Sequence, residues 1–203
     1  MEPASDIELF EAWRGGDQRA GAELFRRHYD TLTRFFANKV AAEHRPELIQ
    51  RTMLACVESS ERFEGRSRFS SYLLGIALRQ LYKHFDRRRR GERVDFGTVS
   101  IEDLQPSPSQ AIAAQDEYHV LLQALRRLPL DYQLVLELVY WEDFTAAEVA
   151  ESLDIPVGTA KTRIRRGKEL LREQVETVST SPALMQSTIS NLEGWARALR
   201  ERG

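Results

Sequence analysis

With 203 residues, of which 42% are hydrophobic and 30% charged, the chain is globular and has room for one large domain or two small ones. No run of 18 apolar residues is present and the acidic N-terminus does not resemble a signal peptide, so we expect no membrane segment and a cytoplasmic location. The single cysteine, Cys56, excludes an internal disulfide and a cysteine-rich zinc site.

The net charge of −2 conceals a segregation of charge along the chain. Residues 79–93 hold seven basic and two acidic side chains, and residues 161–172 hold six basic and one acidic. Residues 94–117 and 131–154 carry acidic side chains and no Lys or Arg. Two basic segments separated by acidic ones indicate two contact surfaces for one polyanion, although solvated helix faces explain such runs about equally well.

Apolar residues recur at helical spacing in the first half of the chain, and strand alternation is almost absent. This periodicity predicts an all-α fold. A first helix over residues 6–14 ends at a Gly-Gly pair, and Asp17 is placed to cap a second. Pro46 suits an early position of a third helix over residues 47–58, and a polar loop leads into a fourth over residues 69–89.

Pro106 and Pro108 lie among serines and glutamine, which predicts a flexible acidic linker over residues 94–110. The linker would join two small helical domains, residues 1–93 and residues 111–176. The second domain is predicted to contain four helices, over residues 111–127, 130–141, 145–153 and 157–175.

The final segment, residues 177–203, forms a C-terminal extension with a helix that begins near Pro182. One face of this helix carries an apolar stripe with Trp195 beside it; the stripe consists of Met185, Ile189, Leu192, Ala196 and Leu199. Such a face must be buried. It either docks on the second domain as an extra packing helix or regulates access to that domain's surfaces.

Residues 144–171, FTAAEVAESLDIPVGTAKTRIRRGKELL, have the layout of a helix-turn-helix. Thr145 is placed to cap the first helix, Asp154 occupies a turn position where glycine is more usual, and Ile155 is expected beneath the corner. The second helix buries Ala160, Ile164 and Leu171 and presents four polar side chains: Lys161, Thr162, Arg165 and Arg166. This favours reading of a DNA major groove over an amphipathic helix pair with a basic surface.

Two blocks of sequence, in this order, resemble the extracytoplasmic-function (ECF) sigma factors of bacterial RNA polymerase, members of the sigma-70 superfamily. ELFRRHYDTLTRFF, with the segment from Glu47 to Arg90, is similar to sigma region two. ALRRLPLDYQLVLELVYWEDFTAAEVAESLDIPVGTAKTRIRRGKELLREQV is similar to region four. The resemblance implies a transcription initiation factor that binds core polymerase at the clamp helices of its largest subunit and at its flap region, and that directs it to promoter DNA.

The resemblance assigns the helix over residues 47–58 to the clamp, with Glu47 and Gln50 at the usual contact positions. Arg51 stands where the family usually carries an acid. Because phosphate next to that arginine would restore negative charge, Thr52 is a candidate target of a Ser/Thr kinase, unless it is a helix residue at the edge of the core. Control by an anti-sigma factor is the usual alternative.

The resemblance also assigns binding of the −10 element to the first domain. The loop and helix start would capture an unstacked base with cations and aromatic faces: Arg62, Phe63, Arg66, Arg68, Phe69 and Tyr72. Either phenylalanine taken alone is more simply a core residue. The helix that follows would lie along phosphates through Arg79, Lys83, Arg87 and Arg88. Leu78-Arg79 stands where the family often has Arg-Asn, the asparagine being associated with strand separation.

Region four would place Lys161, Thr162, Arg165 and Arg166 in the major groove of the −35 element. The linker acids Asp95, Glu102 and Asp103 would mimic RNA in the basic exit path of the polymerase, or would simply belong to a disordered tether.

No enzyme, cofactor or metal site emerges, because the four histidines are scattered and lack a nucleophile, a phosphate loop or a ligand cluster near them. One competing interpretation is a stand-alone helix-turn-helix regulator that does not bind polymerase. Another is an adaptor without a DNA role, against which the basic face of residues 161–172 argues.

Overall fold

The computed structural model describes residues 4–65, 67–88, 94–104, 117–179 and 182–190. Within these residues the chain is helical, contains no β-strand and forms one isolated β-bridge, between Ser100 and Pro129. It divides into two compact units, Met1–His84 with Glu151–Asp154 and Phe85–Ala150 with Ile155–Gly203. The prediction of an all-α chain with two domains is confirmed.

The helices of the N-terminal half follow the predicted order. They are α1 (Asp6–Arg14), α2 (Gln18–Ala37), α3 (Arg45–Glu58) and α4 (Phe69–Arg88), with short 3₁₀ turns at Ala42–His44 and Ser60–Arg62. Helix α3 begins two residues before its predicted start because Pro46 lies in the first turn, where a missing N–H costs no hydrogen bond.

Helices α1 and α2 begin with side-chain caps and pack closely. Ser5 and Glu8 form a capping box at α1, and Asp17 accepts hydrogen bonds from two backbone amides of α2. A Cβ atom at Gly21 would overlap the ring of Trp13, so the two helices can approach this closely only because Gly21 has no side chain.

We therefore predict that Gly21→Ala destabilises the protein by about 1–3 kcal/mol, because the methyl group displaces the Trp13 ring. Urea unfolding followed by tryptophan fluorescence measures the change. Gly158→Ala is the matched control, since a Cβ there meets nothing within 4 Å. Equal stability of the two variants would contradict the packing argument.

The described residues of the second half form six helices: α5 (Ile101–Leu104), α6 (Glu117–Arg127), α7 (Leu130–Trp141), α8 (Ala146–Leu153), α9 (Val157–Val178) and α10 (Pro182–Ser190). Helix α9 continues three residues beyond its predicted end. It packs closely on α7, where a Cβ atom at Gly167 would lie 3.2 Å from Leu136 Cγ.

The linker is more ordered than predicted in its first part. Residues 94–104, here called the linker segment, include α5 and contact α6, and the backbone of the segment bonds to α7. Val94, Ser100 and Ile101 are buried. The expectation of a flexible tether is therefore wrong for the linker segment, while residues 105–110 lie outside the described residues.

The C-terminal extension contains a helix that begins at Pro182, as the sequence predicts. Helix α10 packs against α6 and α9, and its Thr188 is buried. The side chains of Met185 and Ile189 are outside the described part of the chain, as are residues 191–203 with the remainder of the stripe, Leu192, Trp195, Ala196 and Leu199.

Candidate nucleic-acid and partner interfaces

The start of the helix-turn-helix is held by a capping box. The backbone N–H and the hydroxyl of Thr145 donate to the Glu148 carboxylate at 2.7 and 2.8 Å, and the Glu148 N–H donates back to the Thr145 hydroxyl at 3.3 Å. Each partner satisfies a donor that the first turn of a helix leaves without an intrahelical acceptor. The predicted capping role of Thr145 is confirmed.

The turn between α8 and α9 depends on Asp154, which adopts a left-handed conformation with φ 53°. The Ile155 N–H donates to the carbonyl of Ala150 at 2.9 Å, which closes the end of α8. The left-handed conformation expected of Asp154 is therefore present. Ile155 is half-buried rather than fully buried, since the corner shields only part of its side chain.

Helix α9 exposes the four side chains that the sequence assigns to the groove, namely Lys161, Thr162, Arg165 and Arg166. The opposite face is buried at Ala160, Gly167 and Leu171. Ile164, predicted to be buried, is half-buried. The basic row is therefore accessible along the length of about two helical turns.

Two arginines of this row share one carboxylate. Arg165 and Arg166 each contact Glu169 at 3.0 Å, and the Arg166 hydrogen bond is the main cause that lowers the pKa of the Glu169 carboxyl. All three side chains are substantially exposed, so these pairs are weak and either guanidinium can exchange its partner for a DNA oxygen.

Arg163, on the same helix, has a different environment. Its guanidinium contacts Asp131 of α7 at 2.8 Å, and the two side chains are 29% and 13% exposed. This arginine is therefore held against the body of its own unit, and Asp131 is a residue that sequence reasoning missed.

The aromatic rings of the N-terminal unit form a core instead of a binding surface. Phe63 is 4% and Phe69 1% exposed, and both pack around Phe10 of α1, with ring centroids 4.8 and 5.8 Å from it. The prediction that these two phenylalanines contact DNA is wrong because both rings are buried, and the alternative of two core residues is the one the structure supports. The two rings also contact each other, with centroids 5.8 Å apart.

Tyr72 has one ring face in this core and remains half-buried. Its ring stacks on Phe63 at 4.9 Å, and its hydroxyl donates to the Ser59 carbonyl at 2.7 Å. Burial is the main cause that raises the pKa of Tyr72. Tyr72 is thus a fixed side chain that retains partial solvent access.

The basic residues predicted to contact DNA in this unit are accessible wherever the structure describes them. The exposed members are Arg62, Arg68, Arg79, Lys83 and Arg87. Three of them, Arg79, Lys83 and Arg87, follow each other at four-residue spacing on one face of α4. Arg66 and the side chain of Arg88 lie outside the described residues. Leu78, which stands where the family often has arginine, is a buried core residue.

One face of α3 carries the predicted polymerase contacts and continues as an apolar surface. Glu47 and Gln50 are exposed, and Arg51 contacts Glu47 at 2.6 Å, so these two charges largely cancel. Further along the helix, Leu54 and Val57 are 56% and 44% exposed. Sequence reasoning missed both, although their spacing from Gln50 places them on its face.

Thr52 is fully buried, and its hydroxyl donates to the Leu48 carbonyl at 2.7 Å. A kinase needs this hydroxyl exposed, and a phosphate of charge about −2 has no room in an apolar core. The structure therefore contradicts Thr52 as a phosphorylation site and supports its role as a helix residue in the core.

The acids of the linker segment have local partners. Asp95 accepts from the Gly97 N–H at 3.0 Å, and Asp103 accepts from the Ser100 hydroxyl at 2.6 Å. Glu102 contacts Arg127 of α6 at 2.9 Å. The first two contacts lie within the segment and the third joins it to α6, which differs from the disordered tether considered above.

Other chemistry is sparse in the described residues. They contain no group of three His, Cys, Asp or Glu side chains that could hold a metal ion, and no helix among them is long and apolar enough to cross a membrane. Cys56 is buried, and burial raises the pKa of its thiol to about 12.

Comparison with protein families matches sigma-70 region 2 to residues 24–91 and sigma-70 region 4 to residues 118–171. The chain thus belongs to the sigma-70 family of bacterial RNA polymerase sigma factors, which act in transcription initiation and bind DNA. Within that family it is an ECF sigma factor, as its relatives indicate.

Two relatives match most of their length. The ECF RNA polymerase sigma-E factor of Haemophilus influenzae is 24% identical over 86% of this chain and 97% of its own. The ECF RNA polymerase sigma factor SigW of Bacillus subtilis is 26% identical over 79% of this chain and 91% of its own.

Two solved structures share the fold. CnrH, in complex with the cytosolic domain of CnrY, has a TM-score of 0.62 at 20% identity and covers 87% of this chain and 100% of its own. RpoE of Bartonella quintana, in complex with the anti-sigma factor NepR, has a TM-score of 0.53 at 19% identity and covers 74% and 95%.

Proposed function

We propose that this sigma factor reads the −35 element with α9, holds the −10 element with α4 and the loop before it, and binds the clamp of core polymerase with α3. The observation that carries the proposal is the exposed basic row of α9 behind a capped turn. Long donors on one helix face suit base edges and phosphates in the major groove.

For the −10 element we propose that basic side chains contact the phosphates and that aromatic side chains support the loop or stack on a base. Arg62 and Arg68 are exposed on the loop, and the basic face of α4 continues from them as a track for phosphates. Phe63 and Phe69 would keep the loop in shape from the core. Tyr72 is the aromatic side chain left with partial access for stacking on an unpaired base, and so for helping to open the duplex.

For polymerase binding we propose the exposed face of α3, with its apolar half as the main contribution. Because Glu47 and Arg51 neutralise each other, charge alone gives this face little attraction for a basic clamp. Leu54 and Val57 offer apolar area that a partner can bury, typically the larger source of affinity. Region four would in turn engage the flap region.

We propose an anti-sigma protein as the controlling partner. The two structural neighbours were each solved with such a protein or a cytosolic domain bound. The burial of Thr52 argues against control by a kinase at that residue. The exposed apolar face of α3 is a surface that a controlling protein could cover.

The test is co-elution with core polymerase in gel filtration, followed by selection of duplexes from a random pool by the resulting holoenzyme. We expect a stable complex that enriches sequences with two separated conserved elements. Binding to DNA without co-elution would instead support a stand-alone helix-turn-helix regulator.

We also predict that the C-terminal extension modulates transcription. Ending the chain after Ser179 removes α10 and exposes the surface of α6 and α9 that it covers, so we expect altered transcription and a loss of stability of about 1–3 kcal/mol. Run-off transcription and urea unfolding measure the two effects. Ending the chain after Ser190 keeps α10 and is the matched control. If the chain that ends after Ser179 transcribes as the wild type does, α10 has only a packing role.

A further inference from the structure

The linker segment completes the start of α7. Leu130 and Asp131, in the first turn of that helix, donate backbone N–H groups to the carbonyls of Val99 and Phe96, each at 3.0 Å. The first N–H groups of a helix have no acceptor within it, so the linker segment supplies acceptors that water would otherwise provide. The position of the turn that carries Asp131 therefore depends on the linker segment.

The linker segment is itself anchored by apolar and polar contacts. Ile101 is 0% exposed and Val94 is 7% exposed. Ser100 and Asp103 form a reciprocal pair of hydrogen bonds around the start of α5, and Glu102 contacts Arg127. Burial of this kind distinguishes the segment from a tether that happens to lie on a surface.

The turn so held carries the carboxylate that contacts α9. Asp131 Oδ2 lies 2.8 Å from the Arg163 guanidinium, and the low exposure of both side chains limits screening by water. Arg163 is two residues from Lys161 and two from Arg165. Its pair with Asp131 therefore lies on the part of α9 that carries the groove side chains.

We propose that the linker segment and Asp131 are positioning elements for promoter reading: the segment fixes Asp131, and Asp131 fixes the rotation of α9 through Arg163. The inference rests on the proposed −35 reading. Base-edge contacts require placement within fractions of an ångström, whereas phosphate contacts tolerate more. Loss of the positioning contact should thus reduce sequence selectivity more than total DNA binding.

The experiment uses the full chain assembled with core polymerase. Its probes are a duplex enriched from a random pool by the wild-type holoenzyme and a scrambled duplex of equal composition. We expect Asp131→Asn to lower the ratio of the two affinities about tenfold, chiefly through weaker binding of the enriched duplex. Glu176→Gln is the matched control: it removes one negative charge from an exposed side chain of the same unit, outside the linker segment, and its ratio should stay within about twofold of wild type.

A second variant tests the linker segment itself. Ile101→Ala removes a buried anchor of the segment and changes no residue of α9, and it should reproduce the loss of selectivity. Combined with Asp131→Asn it should add little, because both act through one contact. Circular dichroism and urea unfolding verify that each variant is folded at the assay temperature.

Three outcomes are informative. An unchanged affinity ratio in folded Asp131→Asn would overturn the proposal. So would tighter binding of both duplexes, because it would mean that Asp131 restrains Arg163 from contacting DNA itself. Failure of the wild-type holoenzyme to enrich any sequence would instead refute the proposed −35 reading on which the inference rests.

Discussion

Replacing Lys161, Arg165 and Arg166 by alanine together should abolish selective promoter binding. Base contacts of this type contribute about 1–3 kcal/mol each. We therefore expect the triple variant to lose most of the difference in binding affinity, here called the margin, between selected and random DNA. The three side chains are exposed, and their removal leaves the buried face of α9 intact. Fluorescence anisotropy with selected and scrambled duplexes measures the margin.

Two control variants separate base reading from general attraction. Arg172→Ala removes an exposed charge from the same helix, outside the proposed row, and should preserve selectivity. Arg87→Ala, on α4, should weaken binding of every duplex alike and reduce the dependence of the affinity on salt. A triple variant that still selects the wild-type sequence would show that α9 does not read the groove.

Replacing Leu54 and Val57 by aspartate should eliminate stable binding to core polymerase. Two side chains with exposed fractions of 56% and 44% would contribute the apolar centre of the interface, where a few residues typically carry at least about 2 kcal/mol each. Aspartate also introduces charge that would be desolvated on binding. Surface plasmon resonance with immobilised core polymerase measures the loss, which we expect to exceed about 100-fold.

The matched control is Ile7→Asp in α1, which places the same charge at an apolar residue that is 41% exposed. It should bind the polymerase as the wild type does. Equal loss in both variants would point to general unfolding or repulsion, and full binding by the Leu54 and Val57 variant would show that α3 is not the docking face.

The sequence predicts the helix-turn-helix well because its determinants are local. The capping pair at Thr145 and Glu148 lies three residues apart, and the left-handed Asp154 follows directly at the end of the same helix. The alternation of buried and exposed positions along α9 then follows from helical spacing alone. Little of this depends on which element packs against it.

The rings of the N-terminal unit could not be assigned in this way. Phe63 and Phe69 are buried by Phe10, which lies more than fifty residues earlier, and a helical pattern does not identify such a partner. The burial of Thr52, in contrast, could have been predicted from the sequence. It lies four residues from both Leu48 and Cys56, and three residues at that spacing share one face of α3.

The acidic composition of the linker segment led to the wrong prediction that it is flexible. Its acids suggested solvation, yet Asp95 and Asp103 bind nearby backbone and hydroxyl groups, and Ile101 supplies the apolar anchor. Two buried apolar residues, Val94 and Ile101, are a weak signal in an acidic stretch of sequence. The helix that packs against α5 is α6, which lies later in the chain and which the linker sequence does not reveal.

The state of Cys56 has a consequence for how the folded factor reacts with oxidants. It is the only thiol of the chain, it is buried, and a pKa of about 12 leaves almost no thiolate at neutral pH. Peroxide and disulfide reagents act on exposed thiolates, so the folded factor has no cysteine with which to sense them. A signal that depends on thiol oxidation must therefore be received by another protein or by the unfolded chain.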